Sequence, residues 1–344
     1  MRTRIRILAP LALVVVATAA CGSSGSSGTG GGSSSSAAGG STAAAGGKAC
    51  APVAGDQLVV LKDDKALQSA DNVLPAVNAK ANTKNPALMP ALEAVAAKIT
   101  TDDLVNLNNA VDVQRKSVDD AASGWVAAHD VTGGLAKGSG KIVVGAPGFT
   151  EGKVLGAIFA DVLKKVGFDA SAREVGSRDL YLKALIAGSE IQVVPEYLST
   201  VTEAINKLPQ VNGPSATPVA SGDVQATFTA LKPLAAKVGL VFGTPSAAAD
   251  ENAFAVTQAL ADKLKVTTLS ELATACSDGS LVLGGPTECP TRPFCQPGLE
   301  KTYSLKFASF KGLDAGGPLT KAAIAKGTVS IGLVFSSDGS LAKK

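Results

Sequence analysis

Aromatic and hydroxyl side chains at the ends of predicted strands are the residues with the clearest potential for binding chemistry. Tyr197 ends the apolar run "EIQVVPEY" and Thr200 follows it, Phe254 lies in "ENAFAV", and Phe335 closes "SIGLVF". Aromatic residues make up only 4% of the chain, so three rings at strand ends stand out. In open α/β sheets, ligands bind beyond the carboxyl ends of the strands. The pattern indicates a binding cleft, although each ring taken alone is more often a core residue than a ligand contact.

Groups suited to catalysis are scarce in this sequence. The single histidine, His129, follows a predicted helix, where a solvated helix end explains it. The stretch "GSGKI" around Lys141 lacks the glycine spacing and the hydroxyl of a phosphate-binding loop, and it precedes a strand. Acidic pairs such as Asp63-Asp64 sit at turns and helix starts, where capping accounts for them. We therefore predict a binding protein and not an enzyme, with no cofactor and no metal.

Alternating strands and helices must position the strand-end residues. "KIVVGA", "DASAREV" and "EIQVVPEY" are predicted strands, and "TEGKVLGAIFADVLKKVG" and "SRDLYLKALIAG" are the helices between them. This alternation is typical of a parallel, doubly wound α/β sheet. It resumes from Val241 onward. The earlier segment, residues 56–131, has one strand, "QLVVL", followed by helices, and a Gly-rich break at residues 132–140 separates it from the rest.

The first residues have the pattern of an export signal. A basic stretch, an apolar stretch and three small residues make up residues 1–20, which we predict to be a signal peptide. Small residues directly before Cys21 resemble the bacterial lipobox, although Thr18 departs from the usual Leu or Val. We expect Cys21 to be lipidated; an ordinary signal peptide followed by a chance cysteine is the alternative. Residues 21–55 then form the lipidated cysteine and a flexible Gly/Ser/Ala tether, which places the protein outside the cytoplasm and anchored to the cell membrane.

The charge of the exported chain is balanced. Three of the 32 lysines and arginines lie in the predicted signal peptide, and the remaining 29 match the 29 aspartates and glutamates. No basic run interleaved with aromatic residues remains, so we predict no nucleic-acid partner.

Four further cysteines can form disulfides in an exported protein: Cys50, Cys276, Cys289 and Cys295. Four cysteines allow three pairings. Cys289 and Cys295 bracket the short loop "PTRPF", and we predict that they form a disulfide. Whether Cys50 and Cys276 pair stays open at this point.

Several long stretches resemble the substrate-binding proteins of glycine betaine/choline-type ABC transporters. They are "KIVVGAPGFTEGKVLGAIFADVLKKVGF", "GSRDLYLKALIAGSEIQVVPEYLST", "GGPTECPTRPFCQPGLEKTYSLKF" and "LDAGGPLTKAAIAKGTVSIGLVFSSDG". The resemblance covers nearly all of residues 141–344. It implies a two-lobed periplasmic-binding-protein type II fold, with two doubly wound sheets joined by two hinge strands. In such a fold the ligand is enclosed between lobes that close on it.

The order of the segments departs from this family. A strand of the "LVVLEDD" type follows the Ser-Asp-Gly turn in the family, whereas here "LVVLKDD" stands near the front of the chain. The chain therefore resembles a circular permutant whose old ends are joined through residues 132–140. Lobe one would comprise residues 56–131, 141–248 and 335–344, and lobe two residues 249–334. A truncated relative fused behind an unrelated helical domain is the alternative.

The resemblance also implies a set of ligand-binding residues. Family members hold a quaternary ammonium against aromatic faces, because such a cation offers no N–H to a hydrogen bond. Tyr197 and Thr200 fall on family ligand positions, and Phe254 and Phe335 fall where many members carry tyrosine. Arg292 is a candidate partner for a ligand carboxylate, with a structural salt bridge as the equal alternative. The remaining candidates are Phe149, Tyr181 and Thr320.

The predicted function follows from the resemblance. The chain would act as a monomer that delivers a small cationic or zwitterionic osmoprotectant, similar to glycine betaine or choline, to the permease subunits of an ABC transporter. A surface lipoprotein of the same fold that senses an amino acid or an aromatic compound is the alternative.

Overall fold

Two five-stranded sheets form the framework of residues 50–342, the part of the chain that the computed structural model describes. The strands are β1 (Leu58–Leu61), β2 (Val73–Asn78), β3 (Lys141–Pro147), β4 (Asp169–Val175), β5 (Val193–Tyr197), β6 (Leu240–Phe242), β7 (Asn252–Thr257), β8 (Leu281–Pro286), β9 (Phe307–Leu313) and β10 (Ile331–Phe335).

Helices connect and cover these strands. They are α1 (Ala79–Lys84), α2 (Leu88–Ala96), α3 (Thr101–Asn108), α4 (Val118–Ala128), α5 (Thr150–Lys165), α6 (Arg178–Ala187), α7 (Leu198–Asn206), α8 (Val224–Lys237), α9 (Gln258–Leu264), α10 (Leu269–Ala275), α11 (Gln296–Tyr303) and α12 (Pro318–Ala325). A π-helical turn at Asn109–Val113 continues α3, and short 3-10 turns occur at Cys289–Thr291 and Gly339–Leu341.

Lobe one is built on the sheet with strand order β4-β3-β5-β2-β6. Strand β3 runs parallel to β4 and β5, and β2 runs antiparallel to β5 and β6. Every residue of β2 and β5 is buried, because helices cover both faces of the central strands. Helices α2 to α5 pack on one face and α6 to α8 on the other. This is the doubly wound α/β arrangement that the sequence predicts.

Lobe two is built on the sheet with strand order β1-β7-β10-β8-β9. Strand β8 runs parallel to β10 and β9, while β7 runs antiparallel to β10 and β1. Helices α9 to α11 cover one face, and α12 covers the other. The two sheets confirm the predicted two-lobed α/β fold class.

Two chain segments cross between the lobes side by side. We call residues 62–72 the first hinge segment and residues 243–251 the second hinge segment. Asn72 and Ala249 form an antiparallel bridge between them, and the Val73 N–H donates a hydrogen bond of 2.8 Å to the Ala248 carbonyl. The pairing gives the lobes a common two-stranded connection, as expected for this fold.

The strand Leu58–Leu61 lies in lobe two, and not in lobe one as the resemblance implied. It pairs antiparallel with β7, from Leu58 opposite Thr257 to Leu61 opposite Phe254. Leu61 is 2% exposed and packs in the lobe-two core, which fixes the strand to this sheet. The first hinge segment, residues 62–72, therefore takes the place of the return to lobe one that the resemblance implies at residue 335. The segment after β10 does contact lobe one, because Asn108 Nδ2 donates a hydrogen bond to the Ser337 carbonyl at 2.8 Å.

Two disulfides tie parts of lobe two together. Cys289 and Cys295 are bonded, which confirms the predicted pair. Cys50 and Cys276 are bonded as well, which answers the question that the sequence leaves open.

The Gly-rich residues 132–140 form an irregular connection from α4 to β3 within lobe one. The predicted signal peptide, Cys21 and most of the tether lie outside the described residues. Among residues 50–342, no helix combines the length and the apolar character needed to cross a bilayer.

Candidate functional site

A cavity of about 310 Å³ lies between the lobes, beside both hinge segments. Its wall combines the carboxyl ends of strands, the first turns of helices and the hinge residues. The lining residues are Gln68, Ser69, Asp71, Phe149, Arg178, Tyr197, Thr200, Asp250, Glu251, Asn252, Phe294 and Phe335. A second cavity of about 350 Å³ adjoins it, and the two share Phe149, Asp250 and Phe335.

Four aromatic rings line the first cavity, two from each lobe. Phe149 stands just before α5 and Tyr197 ends β5, with 6.2 Å between the centres of the two rings. From lobe two, Phe335 ends β10 and Phe294 projects from the disulfide loop. The three phenylalanines are 39–48% exposed, whereas Tyr197 is 5% exposed. The phenylalanines therefore present their rings to the cleft, and Tyr197 forms its floor.

Tyr197 is held in place by a buried carboxylate from α5. Its hydroxyl donates a hydrogen bond of 2.6 Å to Glu151 Oε1. Asn108 Nδ2 donates a second bond, of 2.8 Å, to Glu151 Oε2. Burial raises the pKa of Tyr197 well above its ordinary value, and the charge of Glu151 raises it further. Tyr197 thus stays a neutral phenol with a fixed ring plane.

Arg178 is the first residue of α6, and among residues 50–342 it is the one arginine that lines the cavity. Its charge is already paired. Its Nη2 atom lies 3.1 Å from Oε2 of Glu196, which is 0% exposed. Burial would lower the pKa of Arg178, but the charge of Glu196 more than offsets this effect, so the guanidinium remains ionised. The pair contributes little net charge to the cleft.

Three carboxylates face the cavity without a cationic partner of this kind. The Thr200 N–H donates a hydrogen bond of 2.9 Å to Asp71, and the Thr200 hydroxyl donates another. Burial, followed by the charge of Glu151, raises the pKa of Asp250 to about 7. Burial and the charges of neighbouring aspartates raise the pKa of Glu251 to about 7 as well. The cavity wall is therefore anionic above neutral pH.

Four of the residues that the sequence nominates line this cavity: Tyr197, Thr200, Phe149 and Phe335. The other four do not line it.

Phe254 and Tyr181 are core residues. Phe254 is 1% exposed because it lies in the middle of β7, opposite Leu61 and Leu333, and not at the strand end. Tyr181 is 4% exposed and packs in the lobe-one core on α6. An apolar run locates a strand or helix but does not reveal which of its rings reaches the open end.

Thr320 and Arg292 have other roles and surroundings. Thr320 is 0% exposed, and its hydroxyl oxygen lies 2.7 Å from both the carbonyl oxygen and a carboxylate oxygen of Asp314 near the start of α12, so its one proton is shared between these acceptors. Arg292 is exposed in the disulfide loop and lines neither cavity. Arg178, and not Arg292, is the arginine that faces the cleft.

The carboxylates of the cavity wall, Asp71, Asp250 and Glu251, are not among the residues that the sequence nominates. Asp250 directly precedes the run "ENAFAV" and Glu251 opens it, next to the predicted boundary between the lobes, so an acidic pair there is a signal of the site. Asp71 reaches the site only because the first hinge segment pairs with the second, which local sequence does not encode. Phe294 is two residues from the nominated Arg292, in the same loop.

Comparison with known proteins identifies the family. A two-lobed α/β fold with a ring-lined cleft defines the class of solute-binding proteins, and the family model for the substrate-binding domain of ABC-type glycine betaine transport systems matches residues 51–128 and 140–344. The chain belongs to this family. It is thus the substrate-binding component of a glycine betaine-type ABC transporter. Proteins of this class are extracytoplasmic transport proteins and not enzymes. Their partners are a small solute and the permease subunits.

The solved structures that are similar to this chain include the following two. One is apo YehZ from Escherichia coli, with 26% sequence identity and a TM-score of 0.48, over 58% of this chain and 71% of that chain. The other is a glycine betaine/carnitine/choline ABC transporter protein, with 18% identity and a TM-score of 0.41, over 59% of this chain and 70% of that chain. No curated protein sequence matches the chain.

Proposed function

We propose that the cavity between the lobes binds a small quaternary amine, which the protein delivers to its permease. The observation that carries this proposal is the combination of four aromatic rings and three carboxylates around one cavity of about 310 Å³. A quaternary ammonium has no N–H donor, so ring faces and diffuse negative charge are the groups that bind it. The volume also suits a small solute.

The charge of the wall favours a ligand with net positive charge. Asp71, Asp250 and Glu251 face the cavity, while the charge of Arg178 is engaged by Glu196. The carboxylate of a zwitterion such as glycine betaine would meet these like charges, whereas choline carries none. We therefore expect choline to bind more tightly than glycine betaine.

Calorimetric titration tests this proposal. Purified protein is titrated at about pH 8, where Asp250 and Glu251, the carboxyl groups with raised pKa, are mostly ionised. The ligands are choline, glycine betaine and the neutral analogue of choline in which carbon replaces the nitrogen. We expect choline to bind about thirtyfold more tightly than its neutral analogue, which corresponds to about 2 kcal/mol of cation–ring attraction. Equal affinity for the neutral analogue, or binding of a neutral aromatic solute but of no quaternary amine, would overturn the proposal.

We also propose that the protein is anchored to the membrane through a lipid on Cys21. The basic, apolar and small-residue pattern that precedes this cysteine supports the assignment, and the Gly/Ser/Ala stretch after it supplies a tether. Mass spectrometry of the membrane fraction decides the matter: a diacylated N-terminal Cys21 is expected, and an unmodified Cys21 would contradict it.

We further infer that the chain is a circular permutant of its family. The family model matches in two segments separated by residues 129–139, which contain most of the Gly-rich connection. Leu58 and Leu341 pack in the same apolar cluster, so the segment after β10 lies next to the strand that would follow it in the family order.

A further inference from the structure

The loop between Cys289 and Cys295 carries a ring into the cleft. Phe294 lines the cavity and is 48% exposed, although both cysteines beside it are almost fully buried in the lobe-two core. The loop is short, with a sequence separation of 6 between the bonded cysteines. A large apolar side chain held out of the core next to two buried anchors is suited to a contact with something in the cleft.

The backbone of the loop is closed on itself. The Arg292 N–H donates a hydrogen bond of 3.2 Å to the Cys289 carbonyl, and the Cys295 N–H donates one of 3.0 Å to the Arg292 carbonyl. Together with the disulfide, these bonds fix the direction in which Phe294 leaves the loop.

The loop is also fastened to the first hinge segment. Gln68 is 5% exposed, and its Nε2 atom donates a hydrogen bond of 3.0 Å to the Phe294 carbonyl. The Gln68 N–H in turn donates to Asp63 at 2.7 Å, and the Asp63 carboxylate accepts a hydrogen bond from the Tyr303 hydroxyl at the end of α11. The position of Phe294 is thus tied to the first hinge segment through a chain of partly buried hydrogen bonds.

Close packing beneath the loop reinforces this attachment. A Cβ atom on Gly298 would come within 2.3 Å of the Pro293 carbonyl oxygen and 2.6 Å of Leu67 Cδ1. Only glycine leaves room for α11 to lie directly against both the loop and the first hinge segment.

We propose that Phe294 is a ligand-contacting wall of the cage, and that the Cys289–Cys295 disulfide and Gln68 position it. The disulfide then determines affinity as well as stability. This inference rests on the proposed binding of a quaternary amine in the cavity. Phe294 would thus be positioned by a disulfide loop, whereas Tyr197 and Phe335 are positioned by the ends of strands.

The test compares the two disulfides of lobe two in the full-length protein. Choline affinity and Tm are measured for wild type, Phe294→Ala, Cys289→Ser/Cys295→Ser and Cys50→Ser/Cys276→Ser. Neither Cys50 nor Cys276 is next in the chain to a residue that lines either cavity, whereas Cys295 directly follows Phe294, so the Cys50–Cys276 bond is the matched control.

We expect Phe294→Ala to raise the Kd for choline about tenfold with little change in Tm, because the ring is half exposed. Removal of the Cys289–Cys295 bond should raise the Kd by a similar factor. Removal of the Cys50–Cys276 bond should lower Tm but leave the Kd within about twofold of wild type. Gln68→Met, which keeps the side-chain length but loses the bond to Phe294, should give an intermediate Kd.

Two results would overturn the inference. Phe294→Ala binding choline as tightly as wild type would remove the ring from the cage, whatever the disulfide variants do. Equal rises in Kd for the two disulfide variants would mean that loss of either disulfide weakens binding by destabilising lobe two in general, and not by displacing Phe294. Failure of wild type itself to bind any quaternary amine would instead overturn the proposed function, and this inference with it.

Discussion

At the scale of single residues, Asp250 and Glu251 determine the charge of the cleft. Their pKa values of about 7 arise mainly from burial, with neighbouring carboxylates adding to the shift. A bound cation favours the ionised forms, so binding near neutral pH must release protons. The site is therefore expected to bind its cation less tightly in acid.

The pH dependence of affinity follows from these values. Between about pH 8 and pH 6 the two carboxyl groups pass from mostly ionised to mostly protonated, so choline affinity should fall. Calorimetry near neutral pH in buffers of different ionisation enthalpy should reveal proton release on binding. A wild-type affinity that is constant over this range would contradict the assignment. Asp250→Asn should show a weaker dependence than wild type.

Ionisation of Asp250, which favours binding of the cation, lowers the stability of the folded protein. The folded-state pKa of Asp250 lies above its ordinary value of 3.8, so its contribution to stability is fully present below about pH 4 and is lost as the pH rises through about 7. We expect Asp250→Asn, which cannot ionise, to unfold at higher urea concentration than wild type at about pH 8 in the absence of ligand. Lower stability of Asp250→Asn under these conditions would show that the charge is compensated.

Two substitutions of Tyr197 should distinguish the contribution of its ring from that of its hydroxyl. Tyr197→Ala removes a ring face from the floor and should weaken choline binding about thirtyfold. Tyr197→Phe keeps the ring but leaves buried Glu151 without one of its donors, so it should lower the free energy of unfolding by about 1–3 kcal/mol with a smaller effect on affinity. Titration and urea unfolding of both variants check this; a large affinity loss in Tyr197→Phe would assign the binding role to the hydroxyl.

At the scale of elements, the spacing of apolar residues predicts many of the strands and helices of lobe one. The alternation from Lys141 to Tyr197 specified β3, α5, β4, α6 and β5, because apolar spacing differs between strand and helix. It could not assign the strand Leu58–Leu61 to a sheet, since a short apolar strand fits the edge of either lobe. Nor could it place Phe254, whose burial depends on partners in β1 and β10 that are far away in sequence.

Thr320 offers a test of the corrected assignments at the level of α12. Its hydroxyl bonds Asp314 near the start of the helix and does not line the cavity. Thr320→Val should therefore lower the free energy of unfolding by about 1–2 kcal/mol and leave choline affinity unchanged. A loss of affinity with normal stability would restore Thr320 to the ligand site.

At the scale of the whole molecule, the proposed permutation predicts that segment order is interchangeable. A rearranged chain with residues 141–342 first and residues 50–131 second, joined by a short Gly/Ser linker, should fold and bind choline with the affinity of the natural order. Ala342 borders a common crevice with Gln57, which lies seven residues after Cys50, so the linker has to span the remaining path from Ala342 to Cys50. A rearranged chain that folds but does not bind would contradict the shared architecture, and one whose residues 50–131 form a separate domain would favour a fusion.

The central claim is that a quaternary amine is held between the lobes by rings from both. The most direct measurement is a crystal structure of the protein with choline at about pH 8. We expect the choline nitrogen within about 6 Å of the ring centres of at least one lobe-one residue, Phe149 or Tyr197, and one lobe-two residue, Phe294 or Phe335. Choline bound outside this cavity, or against the rings of one lobe only, would contradict the account.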